Sequence, residues 1–202
     1  MKWQRLDRDT SQSVINSVQS DGTQGMFALG TSEVQRAFLP FYQGYFLYQV
    51  TNYASLPSFS FQYLSDGKFF HYLDGTEEPI YKVNDGGALV LNEATILAYL
   101  DFYLKNVGDE DGDIILINDP HDMPLLDSLG PAEYQAVFQN HQPVTIDNDP
   151  ANQVFTINAT LYMESQLVRA KILITTRGRV TISGQKMIRQ DVITTDMAES
   201  FM

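Results

Sequence analysis

Along 154–188 apolar and polar residues alternate almost without interruption, and no other stretch limits the fold as strongly. Phe155, Ile157, Ala159, Leu161 and Met163 alternate with Thr156, Asn158, Thr160 and Tyr162. A period of two places one set on a buried sheet face and the other on a wetter face. Val168, Ala170, Ile172 and Ile174 repeat the pattern, with Arg169, Lys171 and Thr175 opposite, and Val180 and Ile182 carry it on. Glu164-Ser165 and Thr176-Arg177-Gly178 read as turns, with Gly178 supplying a left-handed residue. The spacing predicts a three-stranded antiparallel meander.

The turns also predict a register. A two-residue first turn pairs Met163 with Gln166, and therefore Ala159 with Ala170. The Gly178 loop pairs Thr175 with Arg179, and therefore Ala170 with Gly184. One inner row then holds Ala159, Ala170 and Gly184, and its small side chains leave a trough. Such a trough admits a closely packed helix or the floor of a ligand pocket. Ala159, Ala170 and Gly184 are the candidate ligand-binding positions. A four-residue first turn would shift the register by two and dissolve the row.

Upstream, strand and helix signals are mixed. Val14, Ile15 and Val18 fit a short helix. Thr31-Ser32-Glu33 reads as a helix start, with Val34, Ala37, Phe38 and Phe41 on one helical face and Pro40 at its end. The stretch 45–51 reads as a strand, and 59–64 with 68–73 as a hairpin around Ser65-Asp66-Gly67. Short strands are expected at 80–83 and 88–91. Asn92 should cap a helix over 93–107, where Leu97, Leu100, Leu104 and Val107 recur at helical steps. The run 114–117 is continuously apolar, as in a central strand, and Pro131 opens a helix whose inner face is Tyr134, Val137, Phe138 and His141. Without strict βαβ alternation the class is α+β. The expected architecture is a curved, mainly antiparallel sheet whose C-terminal meander packs against a buried helix near 93–107 and shorter helices.

The chain has 202 residues, 44% of them hydrophobic, enough for one domain over 1–202. Residues 1–30 are expected to be loosely ordered and 194–202 to form a tail. Twenty-five acids against 13 bases give a net charge of −12, which argues against nucleic acid and anionic membrane as partners. No cysteine is present, which removes disulfides, thiolate metal sites and cysteine nucleophiles. The start, MKWQRLDRDTSQS, lacks the apolar run of a signal peptide, and no stretch approaches the ~20 apolar residues of a membrane helix. A cytoplasmic location is expected.

Three constellations carry chemistry. Asp109, Asp111 and Asp113 alternate in GDEDGD, as oxygen ligands of a hard cation would, but the glycine and the twelfth-position acid of a calcium loop are out of place. Asp119, His121 and Asp122 follow an apolar strand, where an imidazole between carboxylates could act as general base or metal ligand. His71, beside Tyr72 and Asp74, could join them. No G-x-S-x-G elbow and no phosphate-binding glycine loop is present. The residues therefore favour a non-catalytic module that binds a small ligand or a protein, with no cofactor. Its expected partner is a protein or a second copy of itself. The alternative is a hydrolase-like or metal-dependent enzyme built on loop 119–122.

Overall fold

A computed structural model describes residues 1–19, 25–108, 114–163 and 166–190, the last six by backbone only. The fold is α+β, with two mainly antiparallel sheets and four α-helices among the described residues. Two compact units divide the chain. The first holds Met1–Val107 with Thr176–Arg179, and the second holds Gly108–Thr175 with the residues from Val180 onward.

The first unit contains β1 (Trp3–Arg5), α1 (Arg8–Val18), β2 (Ser32–Phe38), β3 (Phe46–Asn52), β4 (Phe59–Ser65), β5 (Phe70–Tyr72), α2 (Glu78–Asp85) and α3 (Ile96–Asn106). Its sheet runs in the order β1-β2-β3-β4-β5. Gln4, Arg36, Tyr48, Tyr63 and Tyr72 form one cross-strand row on one face. Parallel rows on that face are Val34, Val50 and Phe61, and Phe38, Phe46, Ser65 and Phe70. Helix α1 lays Val14, Ile15 and Val18 over this face, against Phe27, Val34, Tyr48, Val50 and Tyr63. Asp7 starts the helix, its carboxylate accepting from the Thr10 amide at 2.9 Å.

Residues 32–38 are a strand, where helical spacing predicted a helix. Glu33, Gln35 and Arg36 favour helix weakly, by tenths of a kcal/mol each. Pairing with β3 along all of 32–38, and with β1 at Gln35–Ala37, outweighs propensity. The reverse holds at 80–83, expected as a strand but part of α2. There Ile80, Val83 and Asn84 are buried at helical spacing. Asn92 does accept from the Ala94 and Thr95 amides, but the regular helix starts at Ile96. The short helix expected at Val14, Ile15 and Val18 is α1, and Trp3–Arg5, expected to be loose, form β1.

The connection from β2 to β3 buries Leu39, Phe41 and Tyr42. Phe41 packs edge-on to Tyr99, with ring centroids 5.3 Å apart, and lies 5.4 Å from Phe102. Tyr42 donates to the Asn84 side-chain carbonyl at 2.7 Å. The Asn84 amide donates to the Tyr99 hydroxyl at 2.9 Å, and Tyr99 donates to the Gly178 carbonyl at 2.6 Å. Burial pushes both phenols well above their ordinary pKa.

The second unit contains β6 (Ile115–Ile117), α4 (Pro131–Asn140), β7 (Thr145–Asp149), β8 (Val154–Met163), β9 (Gln166–Thr175) and β10 (Val180–Gln190). Its sheet runs β10-β9-β8-β6, with β7 also on β8. Met163 pairs with Gln166, Ala159 with Ala170, and Ile174 with Val180, as the turns predicted. The third member of the small row differs. A bulge between Ser183 and Lys186 sets two residues opposite Ala170, and Gly184 sits there exposed, at φ +57°. Strand β6 lies at the sheet edge, not its centre, and is buried by Met123, Leu126, Val137 and Leu167. The expected single curved sheet is two sheets, and the helix near 93–107 belongs to the first unit, the meander to the second.

Gly178 has the tightest surroundings of the glycines described. It adopts φ +75°, and a Cβ would lie 2.5 Å from Asn84 Nδ2 and 2.6 Å from both Leu89 Cδ2 and the Tyr99 hydroxyl. Gly67 adopts φ +91° with open space around it. Gly178→Ala is expected to cost about 2–5 kcal/mol in urea unfolding, from the left-handed backbone together with overpacking. Gly67→Ala should cost only the backbone part, about 1–2 kcal/mol. Equal losses would show that the Gly178 surroundings yield.

Candidate functional site

Loop 119–122 is a single 3-10 turn that caps itself. The Asp119 carboxylate accepts from the His121 amide at 2.9 Å, and the Asp122 carboxylate accepts from the Asp119 amide at 3.1 Å. His121 Nδ1 lies 2.6 Å from the same Asp119 oxygen. The His121 ring meets the edge of Phe138, with centroids 5.0 Å apart. This pair could hold an imidazole in one tautomer, as a general base requires. Its setting is wet, with side chains 68% and 62% exposed. The Asp119 carboxyl is held below the ordinary carboxylate range, first by the His121 amide, then by the His121 ring. His141 contributes to the same shift through its charge.

Behind the turn, His141 Nδ1 is buried and has no hydrogen-bond partner among the described residues. The cleft lined by Ile117, Val137, Asn140, His141, Thr160 and Leu167 measures about 10 Å³, room for one water rather than a substrate. Arg169 is spent on the Gln142 and Pro143 carbonyls, at 2.9 and 3.2 Å.

The other expected positions fall elsewhere. His71 belongs to the first unit, where it stacks on Tyr45 with centroids 6.4 Å apart. Asp119, His121 and Asp122 come together in the second unit. Asp109, Asp111 and Asp113 lie outside the described residues. Among the described residues no group of three or more histidines and acids could hold a metal ion. Ala159 and Ala170 are buried neighbours, whereas Gly184 is exposed in its bulge.

A better-formed site lies at the β1 end of the first sheet. A groove of about 480 Å³ is lined by Lys2, Trp3, Gln4, Arg36, Phe38 and Phe46. The register explains it. Gln4 opposes Arg36, and Phe38 opposes Phe46, so these four share the face that α1 covers further along. By the same alternation Lys2 stands on that face at its rim, and Trp3 contributes its strand. The cover of α1 centres on Val34, Tyr48, Val50 and Tyr63, and Phe38 is left 65% exposed. The Phe38 and Phe46 rings meet at 6.5 Å, and the Arg36 guanidinium lies 5.0 Å from the Phe46 centroid. Among the described residues neither Arg36 nor Lys2 has an ion pair, and none of the residues that line the groove is a carboxylate.

Two other clefts differ in this respect. The one lined by Arg5, Arg8, Ser11, Ser32 and Glu33 has a built-in anion, since Glu33 pairs with Arg5 at 3.0 Å. The one lined by Glu77, Glu78, Tyr81, Lys82, Asp85 and Arg179 is acidic, and its Arg179 pairs with Asp85 at 2.8 Å and lies 4.0 Å from the Tyr81 centroid. Reading 31–41 as a helix hid the groove, because a period of 3.6 separates Arg36 from Phe38. The signal was the alternation of Val34, Arg36 and Phe38.

Compared with protein-family models, curated proteins and solved structures, the chain matches none. No helix among the described residues is long and apolar enough to cross a membrane.

The self-capped turn makes a titration testable. A lowered pKa means that the folded state favours ionised Asp119, so its contribution to stability holds above the unfolded carboxyl pKa and fades as pH falls through the folded value. In a carbon-detected NMR titration, Asp119 should protonate below the ordinary carboxylate range. His121→Ala should raise that midpoint only part of the way, because the amide of residue 121 remains. A full return to the ordinary range would mean that the ring alone holds the carboxylate.

Proposed function

We propose that this chain is a non-catalytic binding module whose partner carries negative charge beside apolar surface and is received in the groove of Lys2, Gln4, Arg36, Phe38 and Phe46. One observation carries this reading: an exposed Phe38 beside an Arg36 that has no ion pair among the described residues, in a chain of net charge −12. A large exposed ring loses hydration free energy that burial would recover, roughly 1.5–3 kcal/mol, which a partner can supply. An acidic protein that keeps two cations clear of carboxylates at one spot has a local potential opposite to its overall field.

The partner we favour is a protein. A second copy is less suited, because joining two grooves brings Lys2 and Arg36 against their own equivalents. Nucleic acid is disfavoured by the net charge of −12 and by so small a basic patch. The absence of cysteine fits a reducing, cytoplasmic setting. A hydrolytic role for Asp119 and His121 has less support, since the pair is exposed, both carboxylates are engaged in capping, and the adjoining cleft holds about one water.

Anilinonaphthalene sulfonate, an aromatic anion, tests the groove directly. Its fluorescence should rise on titration with the protein. Phe38→Ala and Arg36→Glu should each weaken binding at least about fivefold, roughly 1 kcal/mol. Binding unchanged in both variants would place the dye elsewhere and remove the proposal.

A further inference from the structure

The groove lies along an open strand edge, and that combination specifies a class of partner. Strand β1 ends the first sheet, with β2 on one side and no strand on the other among the described residues. The Leu6 amide bonds the Val34 carbonyl at 3.0 Å. In an antiparallel ladder the bonded pairs alternate, so Gln4 and Leu6 direct their backbone groups to β2. Trp3 and Arg5 then direct theirs to the open edge. The Arg5 side chain is held by Glu33 on the other face, away from the groove.

Resting on the reading of the groove given above, we propose that the partner is an extended acidic peptide segment that adds to β1 as a sixth strand. Its backbone bonds the N–H and C=O groups of Trp3 and Arg5, the mode by which sheet edges capture peptides. Its residues alternate between faces. Those on the groove side lie beside Lys2 and Gln4, with Arg36 directly behind Gln4. A glutamate there lies beside Lys2 and Gln4 and reaches the Arg36 guanidinium only across Gln4, one strand further in, and an apolar residue two positions on meets Phe38 across Lys2. Residues of the opposite set face away from the groove and are unconstrained by it. Charge complementarity argues for this occupant over a second copy of β1, which would set Lys2 against Lys2 across the new pairing.

Trp3 is the only tryptophan, so its emission reports binding at this edge. The probe is a capped heptapeptide, acetyl-Thr-Glu-Thr-Phe-Thr-Glu-Thr-amide, whose two glutamates and phenylalanine share one face when extended. The full chain should bind it with a shift in Trp3 emission. Replacing both glutamates by lysine, or Arg36→Gln in the protein, should weaken binding about tenfold. Two further probes carry N-methyl groups, one on the glutamate and phenylalanine amides, the other on the amides of the threonines at peptide positions three and five. Strand addition requires that one of them binds at least about tenfold more weakly and the other nearly as well as the parent, because only alternate amides face β1. Equal binding by both methylated peptides, or equal loss by both, overturns strand addition but leaves the groove as a side-chain site. No binding of the parent peptide overturns the acidic-strand proposal, and the dye titration then decides separately whether the groove binds anything.

Discussion

A chain of three buried hydrogen bonds, from Tyr42 through Asn84 and Tyr99 to the Gly178 carbonyl, sets the first unit's geometry. Each group in it has a definite role. Tyr42 donates to the amide oxygen, the amide nitrogen donates to Tyr99, and Tyr99 donates to a backbone carbonyl. Removing one member leaves a neighbour buried and unpaired, at about 1–3 kcal/mol. The arrangement also needs the close approach at Gly178, which no side chain permits. Because Tyr42 lies between β2 and β3, this chain fixes where β2 ends and β3 begins. Phe38 and Phe46, the last and first residues of those strands, are thereby held opposite one another.

The groove follows from a mismatch between cover and sheet. Helix α1 spans eleven residues, Arg8–Val18, and its apolar side chains meet Val34, Tyr48, Val50 and Tyr63. The apolar face continues beyond that cover to Phe38. Charge sharpens the site, because Arg5 is neutralised by Glu33 on the opposite face while Arg36 stands against the Phe46 ring. Cover, register and charge thus converge on one end of one sheet, and none of them does so at Asp119 and His121.

Much of the second unit was legible because its strands alternate over ten residues each. The two-residue first turn set the pairing of Ala159 with Ala170 correctly, and the Gly178 loop set that of Ile174 with Val180. The row broke at Gly184 because a bulge costs one residue of register, and a glycine in a strand signals that only ambiguously. The first unit was harder. At 32–38 local propensity favours helix, and only pairing with residues far along the chain reverses it. Strand β1 has three residues, too short for any period to show. The site therefore escaped for the same reason as the strands that build it, whereas Asp119 and His121 stood out because titratable residues are conspicuous whether or not a pocket surrounds them.

The central claim is that ligands meet the chain at the uncovered end of the first sheet. Amide chemical-shift mapping during titration with phenylacetyl-glutamate, a small aromatic dicarboxylate, tests it most directly. The expected perturbations centre on Lys2–Arg5, Arg36, Phe38 and Phe46, with the amides of Asp119–Asp122 unmoved. Perturbations centred on Asp119–Asp122, with the β1 and β2 amides unmoved, would contradict it.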